Sequence, residues 1–119
     1  SKGVKEVIKM ADVLWLVPDT TVVSTESFKY MLSLTIEKGV PLMAFSDGFV
    51  QGGALLSLSP DYYNIGREAG NLVEKILKGK SPQALPVVHP EGKLSINMTT
   101  AKSLRIEIPK EIKRGAKLY

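Results

Sequence analysis

The feature that most constrains this chain is a repeated switch of period. Residues 13–17, "VLWLV", form a continuous apolar run ended by Pro18, and apolar residues at helical spacing follow. An unbroken run of this length reads as a strand covered on both faces, with Trp15 in the core. Phe28, Met31, Leu32, Thr35 and Ile36 then trace one face of a helix, with Ser24 placed to cap it, Glu26 in its first turn and Gly39 to stop it. A second strand is predicted over 40–45, with Pro41 at its start. A third follows over 54–58, after a polar loop at 46–53. A second helix is marked by Ser59 as cap, Pro60 at the first helical position and Asp61 in the first turn. Its stripe is Ile65, Ala69, Leu72, Val73, Ile76 and Leu77, and Gly79 and Pro82 end it.

The flanks are simpler. Val4, Val7, Ile8 and Met10 read as a helix or its tail. Residues 85–88 and 94–98 read as short strands around "HPEG", Asn97 can cap a helix reaching Leu104, and Pro109 starts a last basic helix. Strands alternating with helices predict an α/β three-layer sandwich, a mainly parallel sheet with helices on both faces.

Composition removes several function classes. The 119 residues suit one domain, and none is cysteine, which excludes disulfides, thiolate zinc sites and cysteine nucleophiles. No apolar run approaches the roughly 20 residues of a membrane helix. The opening "SKGVKEVIKMAD" lacks the apolar core of a secretory leader. The net charge of +4 resides between residues 102 and 119, where Lys102, Arg105, Lys110, Lys113, Arg114 and Lys117 face only Glu107 and Glu111. That pattern is a solvated amphipathic helix without a nucleic-acid-binding module, so no nucleic acid partner is expected.

In parallel sheets, ligands sit beyond the carboxyl ends of the strands. Asp19, Thr20 and Thr21 are expected at that end of the first strand, Ser46 and Asp47 at the second, and Ser59 and Asp61 at the third. Each has a plain structural role available: Ser24, Ser59 and Asp61 as helix-terminal groups, Asp19 as a turn residue, Tyr62 and Tyr63 as packing against the sheet. Their repetition along one edge points to a small-molecule site. Catalysis is poorly provided for. His89 stands alone in a turn, there is no serine elbow, and the loop after the first strand lacks the glycines of a phosphate cradle. A phosphoacceptor role for Asp19 would need more acids than Asp12 to hold magnesium. No catalytic residue, cofactor or metal is expected.

The order "ADVLWLVPDTTV", "KGVPLMAFSDGFVQGGALLSLSPDYYNIGREAGNLVEKILKGKSP", "LPV" and "LSINMTTAKSLRIEIPKEI" resembles the C-terminal part of the ABC transporter substrate-binding protein family related to tryptophan- and tyrosine-binding lipoproteins. The resemblance implies one lobe of a type I periplasmic-binding fold, with residues 1–119 as a single α/β lobe and the N-terminal lobe of the same protein absent. It further implies an extracytoplasmic, membrane-anchored lipoprotein that passes an amino acid, often an aromatic one, to an ABC permease. By position, Asp19, Thr20, Thr21, Ser46 and Asp61 would face the cleft between lobes. Asp19 or Asp61 would suit a ligand ammonium, and Thr20, Thr21 and Ser46 a carboxylate. Relatives often carry asparagine where this chain has Thr20. Two other readings of the same residues are a ligand-sensing domain of a signalling protein and a small flavodoxin-like enzyme.

Overall fold

The computed structural model describes residues 2–119. Its elements, in order, are α1 (Lys2–Ile8), β1 (Leu14–Trp15), α2 (Thr25–Lys38), β2 (Leu42–Ala44), α3 (Asp47–Gln51), β3 (Leu56–Pro60), α4 (Tyr62–Leu77), a 3₁₀ turn (Pro82–Ala84), β4 (Gly92–Ile96), α5 (Met98–Ser103), α6 (Lys110–Gly115) and β5 (Ala116–Leu118). The strands form one sheet in the order β1-β2-β3-β4-β5. β2 runs parallel to β1 with Leu14 opposite Leu42, and parallel to β3 with Ala44 opposite Ser57. β5 runs parallel to β4 with Ile96 opposite Leu118. The α/β class and the mainly parallel sheet follow the pattern expected from the sequence.

Two compact units divide the chain. One holds residues 2–59 and 94–119, and the other holds residues 60–93. The core of the first lies on both sides of the sheet. Leu16, Phe28, Met31, Leu42, Ala44 and Ala54 make one cluster, and Leu55, Ile96, Ala101 and Ile108 make the other. Ala54 and Leu55 are neighbours in sequence yet enter opposite clusters, because successive side chains of an extended chain point to opposite faces.

Local chemistry explains the helix ends. The Ser24 hydroxyl accepts from the Ser27 amide at 3.1 Å while the Ser27 hydroxyl accepts from the Ser24 amide at 2.8 Å, closing a reciprocal cap on α2. Gly39 ends α2 in the left-handed region at φ 71°. Gly53 adopts φ 116°, and a Cβ there would stand 2.9 Å from a Leu32 methyl, so both backbone and packing require glycine. Asn97 caps α5 by accepting from the Thr100 amide at 2.9 Å.

Several expectations are corrected. Trp15 is 65% exposed, with Val13 and Val17 about half exposed on the same side, while Leu16 is buried. β1 is an edge strand with one face open, and its apolar run is covered on one face only. The third strand runs later than expected: Ser59 and Pro60 end β3, and Asp61, not Ser59, caps α4. Residues 85–88 form no strand. The fourth strand comes earlier than expected, and Met98 opens α5.

A polar network ties the chain's last strand to the loop after β2. Asp47 Oδ1 accepts from the Ser95 hydroxyl at 2.6 Å. Its Oδ2 accepts from the Tyr119 hydroxyl at 3.1 Å and from Lys117 Nζ at 3.3 Å, and Gln51 donates to the Tyr119 hydroxyl at 3.2 Å. The Ser95 hydroxyl most of all, then Tyr119 and Lys117, hold the Asp47 carboxyl below its ordinary value against the opposing effect of burial. A depressed folded-state pKa adds stability that is complete above the ordinary carboxylate value of about 3.9 and is lost as pH falls through the folded value. Thermal unfolding followed from pH 7 to pH 2 is therefore expected to show an acid-linked loss that shrinks in Asp47→Asn. At pH 7 that variant should lose about 1 kcal/mol, a figure kept small because water reaches the carboxylate. Identical pH profiles for the two proteins would remove this network from the stability of the fold.

Ser57 carries a second prediction. Its hydroxyl is fully buried and is the one buried side-chain polar atom without a hydrogen-bond partner among the described residues. Such a group costs about 1–3 kcal/mol when left unpaired. Ser57→Ala is expected to leave the denaturant midpoint unchanged or raise it, and a loss above about 1 kcal/mol would show that the hydroxyl has a partner in solution.

Candidate functional site

Parallel pairing of β1, β2 and β3 fixes where their loops emerge. The polypeptide leaves β1 through Leu16 and Pro18 into the stretch from Asp19 to Thr21. Asp19 Oδ1 accepts from the Thr21 amide at 2.8 Å and from the Thr21 hydroxyl at 2.6 Å, and the Asp19 carbonyl accepts from the amides of Val22 and Val23. Aspartate here folds the loop back on itself. The Thr21 hydroxyl, and then its amide, hold the carboxyl below its ordinary value, so Asp19 is ionised at neutral pH. Asp19, Thr20 and Thr21 are all exposed. Among the described residues, Oδ1 of Asp19 is the carboxylate oxygen that accepts these bonds.

Ser46 sits at the same end of β2. It occupies the position before α3 in extended backbone, at φ −153° and ψ 159°, and its hydroxyl makes no capping bond. Asp47, fixed by the network to Ser95 and Tyr119, holds the turn that presents it.

These elements enclose an open hollow of about 550 Å³ beyond the strand ends. Ser24, Thr25 and Phe28 of the α2 terminus line it together with Ser46, Gly48 and Phe49, and Val23 closes one side. The floor is aromatic. Phe49 meets Phe28 edge-on with ring centres 4.8 Å apart, and meets Phe45 at 4.8 Å in the same manner. The hollow thus combines hydroxyls, the amide end of the 14-residue helix α2 and apolar rings. That combination suits a small molecule with an anionic group and an apolar part.

Of the candidate residues, Ser46 lines this hollow; Asp19, Thr20 and Thr21 do not, although their loop leads into Val23, which does. Asp61 belongs to the unit of residues 60–93. There it is buried and caps α4. Its Oδ1 accepts from the Asn64 amide at 3.2 Å, and its Oδ2 accepts from Asn64 Nδ2 at 2.7 Å and from Lys93 Nζ at 2.9 Å. Lys93 first, and then the Asn64 amide, hold its carboxyl below the ordinary value. Ser24 is a cap, as its structural reading had it.

Phe49 and Phe45 were not among the sequence candidates. Their signal was present in "FSDGF", where two aromatic residues flank the candidate serine, but only the fold shows that both rings meet Phe28.

Comparison with known proteins identifies the family. The family model described as ABC transporter substrate binding protein matches residues 1–118. A tyrosine-binding protein of Clostridioides difficile is 31% identical over 108 residues, which is 90% of this chain and 31% of that protein. Among solved structures, an open, ligand-free substrate binding protein with adhesive properties from Clostridium difficile gives a TM-score of 0.78 at 25% identity, over 99% of this chain and 39% of that one. A Streptococcus pneumonia ABC domain in complex with L-Trp gives 0.69 at 27% identity, over 99% and 40%. A conserved domain protein of Vibrio cholerae gives 0.68 at 30% identity, over 98% and 39%. The chain therefore spans about a third of the length of the curated relative and about two fifths of the solved ones. By its match from end to end, the chain belongs to the ABC transporter substrate binding protein family.

Proposed function

We propose that this chain is part of the extracytoplasmic solute-binding component of an ABC uptake transporter, and that it binds an amino acid-like ligand with an aromatic side chain. The observation that carries this reading is the hollow at the ends of β1 and β2. Its Ser46 hydroxyl is uncommitted, the amide end of α2 borders it, and Phe28 and Phe49 line it. A relative described as tyrosine-binding and a solved relative complexed with L-Trp support the choice of ligand class.

In this reading the ligand carboxylate lies against Ser46 and the α2 terminus, where it displaces the Glu26 carboxylate from the Glu26 amide and the Ser24 hydroxyl. The ring packs on Phe49. Asp19, ionised and held through Oδ1 by Thr21, takes the ammonium, and Thr20 and Thr21 shape the adjoining rim. Asp61 belongs to the unit of residues 60–93, where it caps α4 and pairs with Lys93, and its part in binding is tested separately. No bond is made or broken, so the protein works as a receptor and not as an enzyme. One open wall buries too little of a small ligand for tight binding. Capture is completed by a second lobe that closes over the ligand, and the closed state is the one a permease would recognise.

Thermal-shift measurements on the full-length protein against the amino acids are expected to raise the melting temperature with tryptophan or tyrosine above the others, since a ligand that binds only the folded state stabilises it. No shift with any amino acid would refute the ligand class. In calorimetry, Ser46→Ala should weaken binding by about tenfold or more, as expected for a hydrogen bond to a charged group. Asp19→Asn should weaken it comparably at unchanged melting temperature. Asp61→Asn, which keeps the helix cap, separates a direct role from a structural one, because a purely structural Asp61 predicts unchanged affinity. Wild-type affinity in both Ser46→Ala and Asp19→Asn would move the site elsewhere.

A further inference from the structure

The two layers packed on the sheet differ in charge. Residues 2–45, which supply α1 and α2 over the first core cluster, hold five bases and five acids. Residues 102–119 hold six bases and two acids. Ala101, Ile106, Ile108 and Ala116 fix this second segment on the other cluster, and Lys102, Arg105, Lys110 and Arg114 stand exposed between them, with Lys113 half-buried. At 100° per residue, Lys110, Lys113 and Arg114 share about 100° of the surface of α6. Lys117 pairs with Asp47, but none of the other five bases is in an ion pair among the described residues.

Arg105 sharpens the point. It holds φ 56° and is the one non-glycine residue of positive φ among the described residues. Its left-handed turn closes α5: the Arg105 amide donates to the Lys102 carbonyl at 3.1 Å, and the Ile106 amide to the Ala101 carbonyl at 2.9 Å. Glycine commonly fills this position at helix ends, because a Cβ strains it. The Arg105 side chain is exposed and makes no hydrogen bond or ion pair among the described residues to offset that strain. Backbone strain of this kind concentrates where a side chain is used. What this guanidinium can meet is an anion outside the chain.

We infer that the layer of α5 and α6, through Lys102, Arg105, Lys110, Lys113 and Arg114, docks on the anionic phospholipid surface of the membrane that holds the transporter. A transporter works in a membrane, so a member of this family has such a surface for a neighbour. Exposed bases spread over a layer match an extended array of phosphates, whereas one small anion calls for a concave site with converging donors. Nucleic acid calls for stacking rings beside the bases, and Tyr119, the aromatic residue of this segment, is bonded to Asp47. The inference rests on family membership and on charge. It does not depend on the ligand reading, so failure to bind an amino acid would leave it standing.

Flotation of the full-length polypeptide, free of acyl groups, with lipid vesicles tests it. Vesicles of equal parts phosphatidylglycerol and phosphatidylcholine should bind the protein, and vesicles of phosphatidylcholine alone should not. Each base near an anionic surface adds about fivefold to partition, so Lys110→Gln, Lys113→Gln and Arg114→Gln combined should weaken binding about a hundredfold. Arg105→Gly should weaken it about fivefold at an unchanged or raised melting temperature, since glycine relieves the left-handed strain. Lys9→Gln with Lys29→Gln, on the other layer, should stay within about twofold of wild type. Raising salt from about 0.1 M to about 1 M should release the protein, because the screening length falls from about 10 Å to about 3 Å. No binding to the anionic vesicles, or equal binding to both kinds, would overturn the inference. So would wild-type binding by the triple and Arg105→Gly variants, or an equal loss in the control variant. Binding to short duplex DNA but not to anionic vesicles would assign the layer to nucleic acid and overturn it equally.

Discussion

Parallel pairing of β1, β2 and β3 is the constraint on which the rest of this structure depends. A parallel strand must be followed by a crossover, and the crossover returns the chain to the same starting edge. Every strand of the set therefore ends at one rim, and the helix that follows starts there. In this chain the α2 terminus and the turn before α3 meet at that rim because β1 and β2 are paired in register, Leu14 to Leu42 and Trp15 to Met43. The hollow is a consequence of topology before it is a consequence of any one side chain.

The polar residues at the rim divide into those that build it and those left over. Ser24 and Ser27 satisfy each other, and the Asp19 carboxylate shapes its own loop through Thr21. Asp47 is consumed by Ser95, Lys117 and Tyr119 and anchors the turn that presents Ser46. Among the described residues, what stays uncommitted is small: the Ser46 hydroxyl and one Asp19 oxygen, since the start of α2 is engaged by Ser24, Ser27 and the Glu26 carboxylate. A receptor that must release its cargo has use for a short supply of fixed donors beside an apolar floor, since each donor adds specificity and the rings add affinity without charge.

Much of the fold was legible in local chemistry. Ser24, Gly39 and Asn97 mark helix ends through bonds to their own neighbours, so a linear reading finds them. The apolar period likewise placed the first two strands and the α/β alternation. What was not legible depends on position in the sheet or on chain far away. Trp15 in an apolar run reads as core, but β1 lies at the sheet edge and leaves it open. Ser59 and Pro60 carry strong helix-start chemistry, and pairing in the sheet keeps both in β3 and passes the capping role to Asp61. At the site, Ser46 was visible as a serine at a strand end. The aromatic floor was not, because Phe28 reads as one more residue of a helical stripe until Phe49 is seen against it.

The central claim is that ligand recognition occurs where the hydroxyl of Ser46, the α2 terminus and the Phe49 ring converge. The most direct measurement is an amide chemical-shift map of isotope-labelled full-length protein titrated with L-tryptophan. The account predicts saturable shifts at Ser24, Thr25, Ser46, Gly48 and Phe49 and quiet amides at α6 and β5. Shifts absent from those five residues, or concentrated on a different face, would contradict it.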